Sequence, residues 1–143
     1  MPINVGQDDY NILSQQIITK YIKLEILNFQ YNVVDEISGN LTAMSVNIDS
    51  GSDLRRSCNL TFVVTDASFD VKAGNKIWLD KFCRPWVGYE NIYTGKIQWY
   101  NQGIYLINAP SWRYNATTHE LSLAGLDLAS KLTGLRNGEL EGI

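Results

Sequence analysis

The sequence predicts a mainly β domain, an antiparallel sandwich or barrel with a short helix near each end. Three observations carry that prediction. Val, Ile, Thr, Tyr, Phe and Trp make up 46 of the 143 residues, a surplus of side chains that suit a pleated surface. Several segments alternate apolar and polar residues with a period of two. Clusters of Gly, Asn, Asp and Ser separate those segments at short intervals. The length fits one domain, read as residues 1–134, large enough to form a core without disulfides or metal.

The elements follow in order. Asp8 or Asp9 can cap a helix over 8–18, with Tyr10, Leu13 and Ile17 on one face. From Tyr21 the period changes to two. Ile22, Leu24 and Ile26 point one way and Lys23 and Glu25 the other, as in a strand with one wet face. Tyr31 to Ser38 reads as a second strand, ended by Ser38-Gly39-Asn40. Met44, Val46 and Ile48 interleave with Ser45, Asn47 and Asp49, the clearest alternation in the chain. A turn over Asp49–Asp53 leads into Cys58, Leu60, Phe62 and Val64, which alternate with polar neighbours.

After a turn from Thr65 to Asn75, a strand is expected through Ile77, Leu79, Lys81 and Cys83. Pro85 cannot donate to a ladder and places this strand at an edge or bulge. Tyr89 to Lys96 reads as a hairpin connection with Thr94-Gly95 at its tip. Ile97 to Ile107 is rich in strand formers, and Gly103 marks a bulge or bend. Trp112–Tyr114 and His119–Ala124 form a last hairpin around Asn115-Ala-Thr-Thr118. A second helix is expected over 126–133, with Gly134 as its left-handed stop. Residues 135–143 lack periodicity and read as an extended linker or tail.

Charge and cysteine content exclude several functions. Twelve Lys and Arg against 15 Asp and Glu give a net charge of −3, and the pI is near 5.0. That balance offers no basic footprint for sequence-specific nucleic acid or an anionic membrane. No apolar run approaches the roughly 20 residues needed to span a bilayer. Met1–Tyr10 lacks the pattern of a signal peptide, so a reducing cytoplasm is the expected place of synthesis, and Cys58 and Cys83 are expected to be reduced.

Little in the chain points to catalysis. His119, the single histidine, falls in a predicted turn, where an exposed side chain is the ordinary outcome. The spacing of Cys58, Cys83 and His119 matches no zinc motif. The Asp49–Asp53 turn lacks the alternating ligands and terminal Glu of a calcium loop. No Walker loop or dinucleotide fingerprint occurs. The carboxylates lie mainly in turns or on wet faces, as solvated charge does. No catalytic, cofactor or metal site is therefore predicted.

The aromatic residues are the remaining candidates. Trp78, Trp86, Trp99, Tyr100 and Trp112 concentrate in the second half and read as core or interface residues. A platform for stacking sugars or bases is the alternative.

Five runs then carry a resemblance: Asp53-Leu-Arg-Arg-Ser-Cys-Asn-Leu-Thr61, Lys76-Ile-Trp-Leu-Asp80, Thr94-Gly-Lys-Ile-Gln-Trp-Tyr100, Gly103-Ile-Tyr-Leu-Ile107, and Leu126 to Gly138. In that order, over about residues 10–143, they resemble a family of structural proteins encoded in tail and baseplate genes of phages of gut Firmicutes. The resemblance implies a virion component without enzymatic activity or cofactor. It implies a tail-hub or baseplate domain that joins other tail proteins, often as a homo-oligomeric ring. Related tail hubs carry barrel or sandwich domains arranged in this way. A mildly acidic surface would suit a tube that passes DNA without gripping it. The rival expectations are a carbohydrate- or receptor-binding β-sandwich and, less favoured, a fragment of a cell-wall hydrolase.

Overall fold

A computed structural model of the chain describes residues 4–52, 54–64, 72–117 and 119–131, with only the backbone of 109–114. Strand formers and turn residues resolve into eight antiparallel strands: β1 (Lys20–Leu27), β2 (Val33–Ile37), β3 (Leu41–Ile48), β4 (Arg56–Val63), β5 (Phe82–Glu90), β6 (Ile97–Asn101), β7 (Tyr105–Asn115) and β8 (Glu120–Asp127). All belong to one sheet in the order β2-β1-β5-β7-β8-β4-β3, with β6 joined to β5 alone.

That sheet is rolled. Its two terminal strands, β2 and β3, are neighbours in sequence, separated by Ser38-Gly39-Asn40, and β1 touches β3 across the roll. Inward residues from both flanks enter one core: Leu24 and Ile26 from β1, Cys58, Leu60 and Phe62 from β4, Cys83 from β5, and Tyr105 and Ile107 from β7. Each large apolar side chain fully withdrawn from water contributes about 1.5–3 kcal/mol, so this shared interior is the main source of stability. The arrangement is a partly open barrel, as the alternating segments predicted.

Local chemistry explains the roll. β5 pairs along its whole length with β1, but on its other side it changes partner. Phe82 and Cys83 pair with β7, whereas Trp86 to Glu90 pair with β6. Pro85 sits between these two registers, where a strand without an amide N–H loses no ladder bond. Its carbonyl accepts from the Gln102 N–H at 3.0 Å. Gly103 then reverses the chain at φ +109°, a conformation that other L-residues rarely adopt, and leads β6 into β7. The edge or bulge expected at Pro85 and the bend expected at Gly103 are thus one feature, a fork in the sheet.

Several predicted elements are corrected. The first helix, α1, covers Gln7–Leu13 rather than 8–18, and it buries Asp9 and Ile12 instead of Tyr10, Leu13 and Ile17. The β-branched Ile17, Ile18 and Thr19 favour an extended lead into β1. Ile77, Leu79 and Lys81 lie in turns rather than a strand, with Asn75 N–H donating to Lys72 and Lys81 N–H to Trp78. Ile77 is a single fully buried plug, and Lys76 anchors the same loop to Asp35 of β2 at 2.7 Å. At the other end β8 continues through Asp127, so the expected helix does not begin at Leu126; Leu128–Lys131 form a 3-10 helix, and 132–133 lie outside the described residues. The expected Gly134 stop and the 135–143 tail lie outside the described residues.

The register across β4 and β8 places Gly125 opposite Cys58. A Cβ at Gly125 would stand 2.5 Å from Cys58 Sγ and 2.8 Å from Tyr105 Cβ. Gly125→Ala should therefore destabilise the fold by about 1–3 kcal/mol through overpacking. Gly39→Ala, with nothing within 4 Å, should be close to neutral. Urea unfolding of the two variants checks this difference, and equal midpoints would contradict the packing described.

Candidate functional site

The outer face of β1, β5 and β6 carries a cluster of polar and aromatic side chains. Register builds it. Lys23 lies opposite Trp86 and Glu25 opposite Arg84, while Gly88 on β5 lies opposite Trp99 on β6. The glycine leaves a notch that the indole occupies: a Cβ there would stand 2.7 Å from Trp99 Cε3. The Arg84 guanidinium meets Glu25 Oε2 at 2.6 Å, and the Trp86 indole N–H donates to the same oxygen at 2.8 Å. Lys23 Nζ stands 4.7 Å from the Trp99 ring centroid and 5.6 Å from that of Trp86. It also pairs with Glu36 of β2 at 3.3 Å.

Glu25 was expected on a wet face, yet it is only 9% exposed. A carboxylate can be withdrawn this far because it is paired with a cation and accepts charge-assisted hydrogen bonds. Strand alternation put Glu25 on the correct face, but its partners depend on the β1–β5 register, which spans about sixty residues of chain. The signal available in the sequence was the matched spacing of Lys23-x-Glu25 and Arg84-x-Trp86.

A second arrangement closes one end of the barrel. The Tyr100 hydroxyl donates to Asp9 Oδ1, and the Gly6 N–H donates to Asp9 Oδ2 at 2.7 Å. These bonds hold the Asp9 carboxyl below its ordinary range, Tyr100 contributing most. They fix α1 over a cavity of about 500 Å³, lined by Met44 and Val46 of β3 and by Val87, Tyr89 and Tyr100. Burial first, and then Asp9, push the Tyr100 hydroxyl up to about 12. Tyr105 is likewise pushed up to about 12, mainly by burial; its hydroxyl donates to the Gln102 carbonyl at 2.7 Å.

A third place is a groove of about 580 Å³ beside β6, lined among others by Trp86, Trp99, Gly103, Ile48 and Arg56. Of the predicted aromatics, the structure thus brings together Trp86, Trp99 and Tyr100, each half-buried. Trp78 is half-buried in the 72–81 loop, apart from them in sequence and sheet position. The side chain of Trp112 lies outside the described residues. None of the four described aromatics belongs to the buried core, where Phe62, Phe82 and Tyr105 are the large rings.

Cys58 and Cys83 are free and buried, one on β4 and one on β5. A hydrogen bond between the two thiols, together with burial, pushes Cys83 well above its ordinary value, so it is not an activated nucleophile. His119 occupies the β7–β8 turn at φ +54°. Among the described residues no three His, Cys, Asp or Glu side chains come together to hold a metal. Among the described residues no helix is long and apolar enough to cross a membrane.

No family model and no curated protein matches the chain. Among solved structures, a chain of the Francisella PdpA–VgrG complex, half-lidded, is similar to 80% of this chain at 10% identity, with a TM-score of 0.44. This chain spans 18% of the length of that one.

The two raised tyrosines tie stability to alkaline pH. The unfolded chain ionises its tyrosines near 10 and the folded chain holds these two to about 12. Their contribution is complete below about pH 10 and is lost as pH rises towards 12. Tyr100→Phe and Tyr105→Phe should each flatten the fall in stability over that window, as read by denaturant titrations at stepped pH. An unchanged slope in both variants would contradict the assignment.

Separately, Glu25→Ala leaves a half-buried guanidinium and an indole N–H without their acceptor. It should cost about 1–3 kcal/mol in urea unfolding, less than a fully buried pair because the site is partly wet.

Proposed function

We propose that this chain is a non-enzymatic structural domain of a bacteriophage tail, a hub or baseplate component that assembles with other tail proteins and with copies of itself. One observation carries the reading: a group of large apolar side chains left outside the core, Tyr10, Leu13, Ile17, Ile92 and Tyr93, lies at one end of the barrel. The segment after α1 lies against the β5–β6 turn. Gln15 Nε2 donates to the Glu90 carbonyl, and Ile92 N–H donates to Gln15 Oε1. These bonds bring Ile17 (73% exposed) beside Ile92 and Tyr93 (84% exposed), with Tyr10 and Leu13 on the adjoining helix. Grouped apolar exposure of this kind marks a surface that meets protein.

Two further features support assembly. Among the described residues the rolled sheet leaves unpaired edges at β2, β3 and β6, and β2 presents Val33 and Val34 half in water. Unpaired edges are templates for adding strands from a neighbour. The ordered motifs between residues 53 and 138 resemble phage tail and baseplate proteins, and this resemblance supports the virion as the proposed site of action. A ring of copies would use the apolar end and the edges in a repeated contact.

The reading is checked by mass photometry and small-angle scattering over a concentration series, alone and with candidate tail proteins. Self-association or capture by a tail protein is expected. The double variant Ile17→Asp, Tyr93→Asp should weaken it at least about tenfold while leaving the urea midpoint close to wild type, since both side chains are exposed. A strict monomer that binds no tail protein would overturn the proposal.

A further inference from the structure

We infer that the groove along the free edge of β6 is a saccharide-binding site. Its lining has a specific composition: the indoles of Trp86 and Trp99, the carboxamides of Gln98, Asn101 and Gln102, and the guanidinium of Arg56. A pyranose ring has an apolar C–H face and a rim of hydroxyls that both donate and accept. Indoles supply a flat apolar contact for such a face. Carboxamides match the rim because each offers a donor and an acceptor in one plane, and guanidinium adds a fork of donors.

The hydrogen-bonding capacity of these groups is largely unspent. Gln98 and Arg56 make no side-chain hydrogen bond or ion pair with a described residue, and both are exposed. Asn101 uses Oδ1 for the Gly103 N–H at 2.8 Å, which leaves its NH₂ group. Gln102 uses Nε2 for the Tyr100 carbonyl at 3.1 Å, which leaves its carbonyl oxygen. Trp99 is held in place by the Gly88 notch, and Trp86 by its bond to Glu25. The aromatic floor is therefore set before a ligand arrives, which lowers the ordering cost of binding.

Charge narrows the ligand class. No carboxylate lines the groove, so an amine ligand would find no counter-ion there. Arg56 is the single cation in the lining, and a chain of net charge −3 disfavours a polyanion such as single-stranded nucleic acid. A neutral or weakly acidic oligosaccharide fits both limits. The volume, about 580 Å³, lies in the range of small-ligand clefts. An extended peptide could also approach this edge. The observations favour a sugar because the wall mixes aromatic rings with planar polar side chains, and its single aliphatic side chain, Ile48, makes no row of apolar sockets for alternate residues.

The site belongs to a single chain and does not depend on the tail reading, so its test is made on the monomer or assembly alike. Maltotetraose, cellotetraose and chitotetraose are titrated while tryptophan fluorescence and saturation-transfer NMR are recorded. At least one is expected to bind saturably in the micromolar to low-millimolar range. Trp99→Ala should weaken that binding by about tenfold, and the exposed Gln98→Ala by about threefold with the fold intact. Saturable binding that neither variant alters would overturn the inference, as would silence from all three sugars. An alternating Thr-Val octapeptide that binds where the sugars do not would assign the groove to strand addition and overturn it too.

Discussion

A single sheet can hide its apolar face only by curling until its two flanks share one interior, and that requirement governs this molecule. Leu24 and Ile26 come from one flank and Leu60 and Phe62 from the other, yet all four are essentially inaccessible to water. Between them stand Tyr105 and Ile107 on the central strand β7. Removing either flank would expose the inner side of the remaining strands, so neither half is expected to persist alone. Close approach at Gly125 and the fork at Pro85 are the local devices that let the sheet bend tightly enough.

Curling has a consequence for the outside. The interior is filled by side chains, so the larger recesses lie at the barrel end and along the β6 edge rather than at its centre. The outer face of β1 and β5 is itself covered in two ways. At one end Leu27, Phe82 and Leu106 form a second apolar cluster beneath Leu128, with Tyr31 stacked on Phe82 at 5.0 Å. At the other, Glu25 gathers Arg84 and Trp86, and Lys23 bridges to Trp99. The first keeps water out with hydrocarbon and the second with satisfied charge. Both stiffen the strands that present the groove and the apolar end.

Much of this was legible in the residues because alternation reports one neighbour at a time. The pattern of Cys58, Leu60 and Phe62 identifies an inner face, and Gly103 and Thr94-Gly95 identify reversals, without knowledge of what lies opposite. What failed depended on distant partners. Tyr10, Leu13 and Ile17 have helical spacing, but α1 is oriented by Asp9 meeting Tyr100, ninety-one residues on, and so turns Tyr10 and Leu13 outward. Ile77 looked like part of a strand because it is apolar, whereas it fills a gap between β-elements from a loop. Side-chain size does not distinguish Trp99, which Gly88 holds on the outer surface, from Tyr105, which takes the core.

Native-state hydrogen exchange across a denaturant series tests the shared interior most directly. If the two flanks enclose one core, the slowest amides of β1 and of β4 will open with the same free energy and the same denaturant dependence, converging on global unfolding. If β3 and β4 instead exchange through a smaller, separate opening while β1 and β5 stay protected, the sheet is two units laid side by side, and the account of a single rolled barrel is wrong.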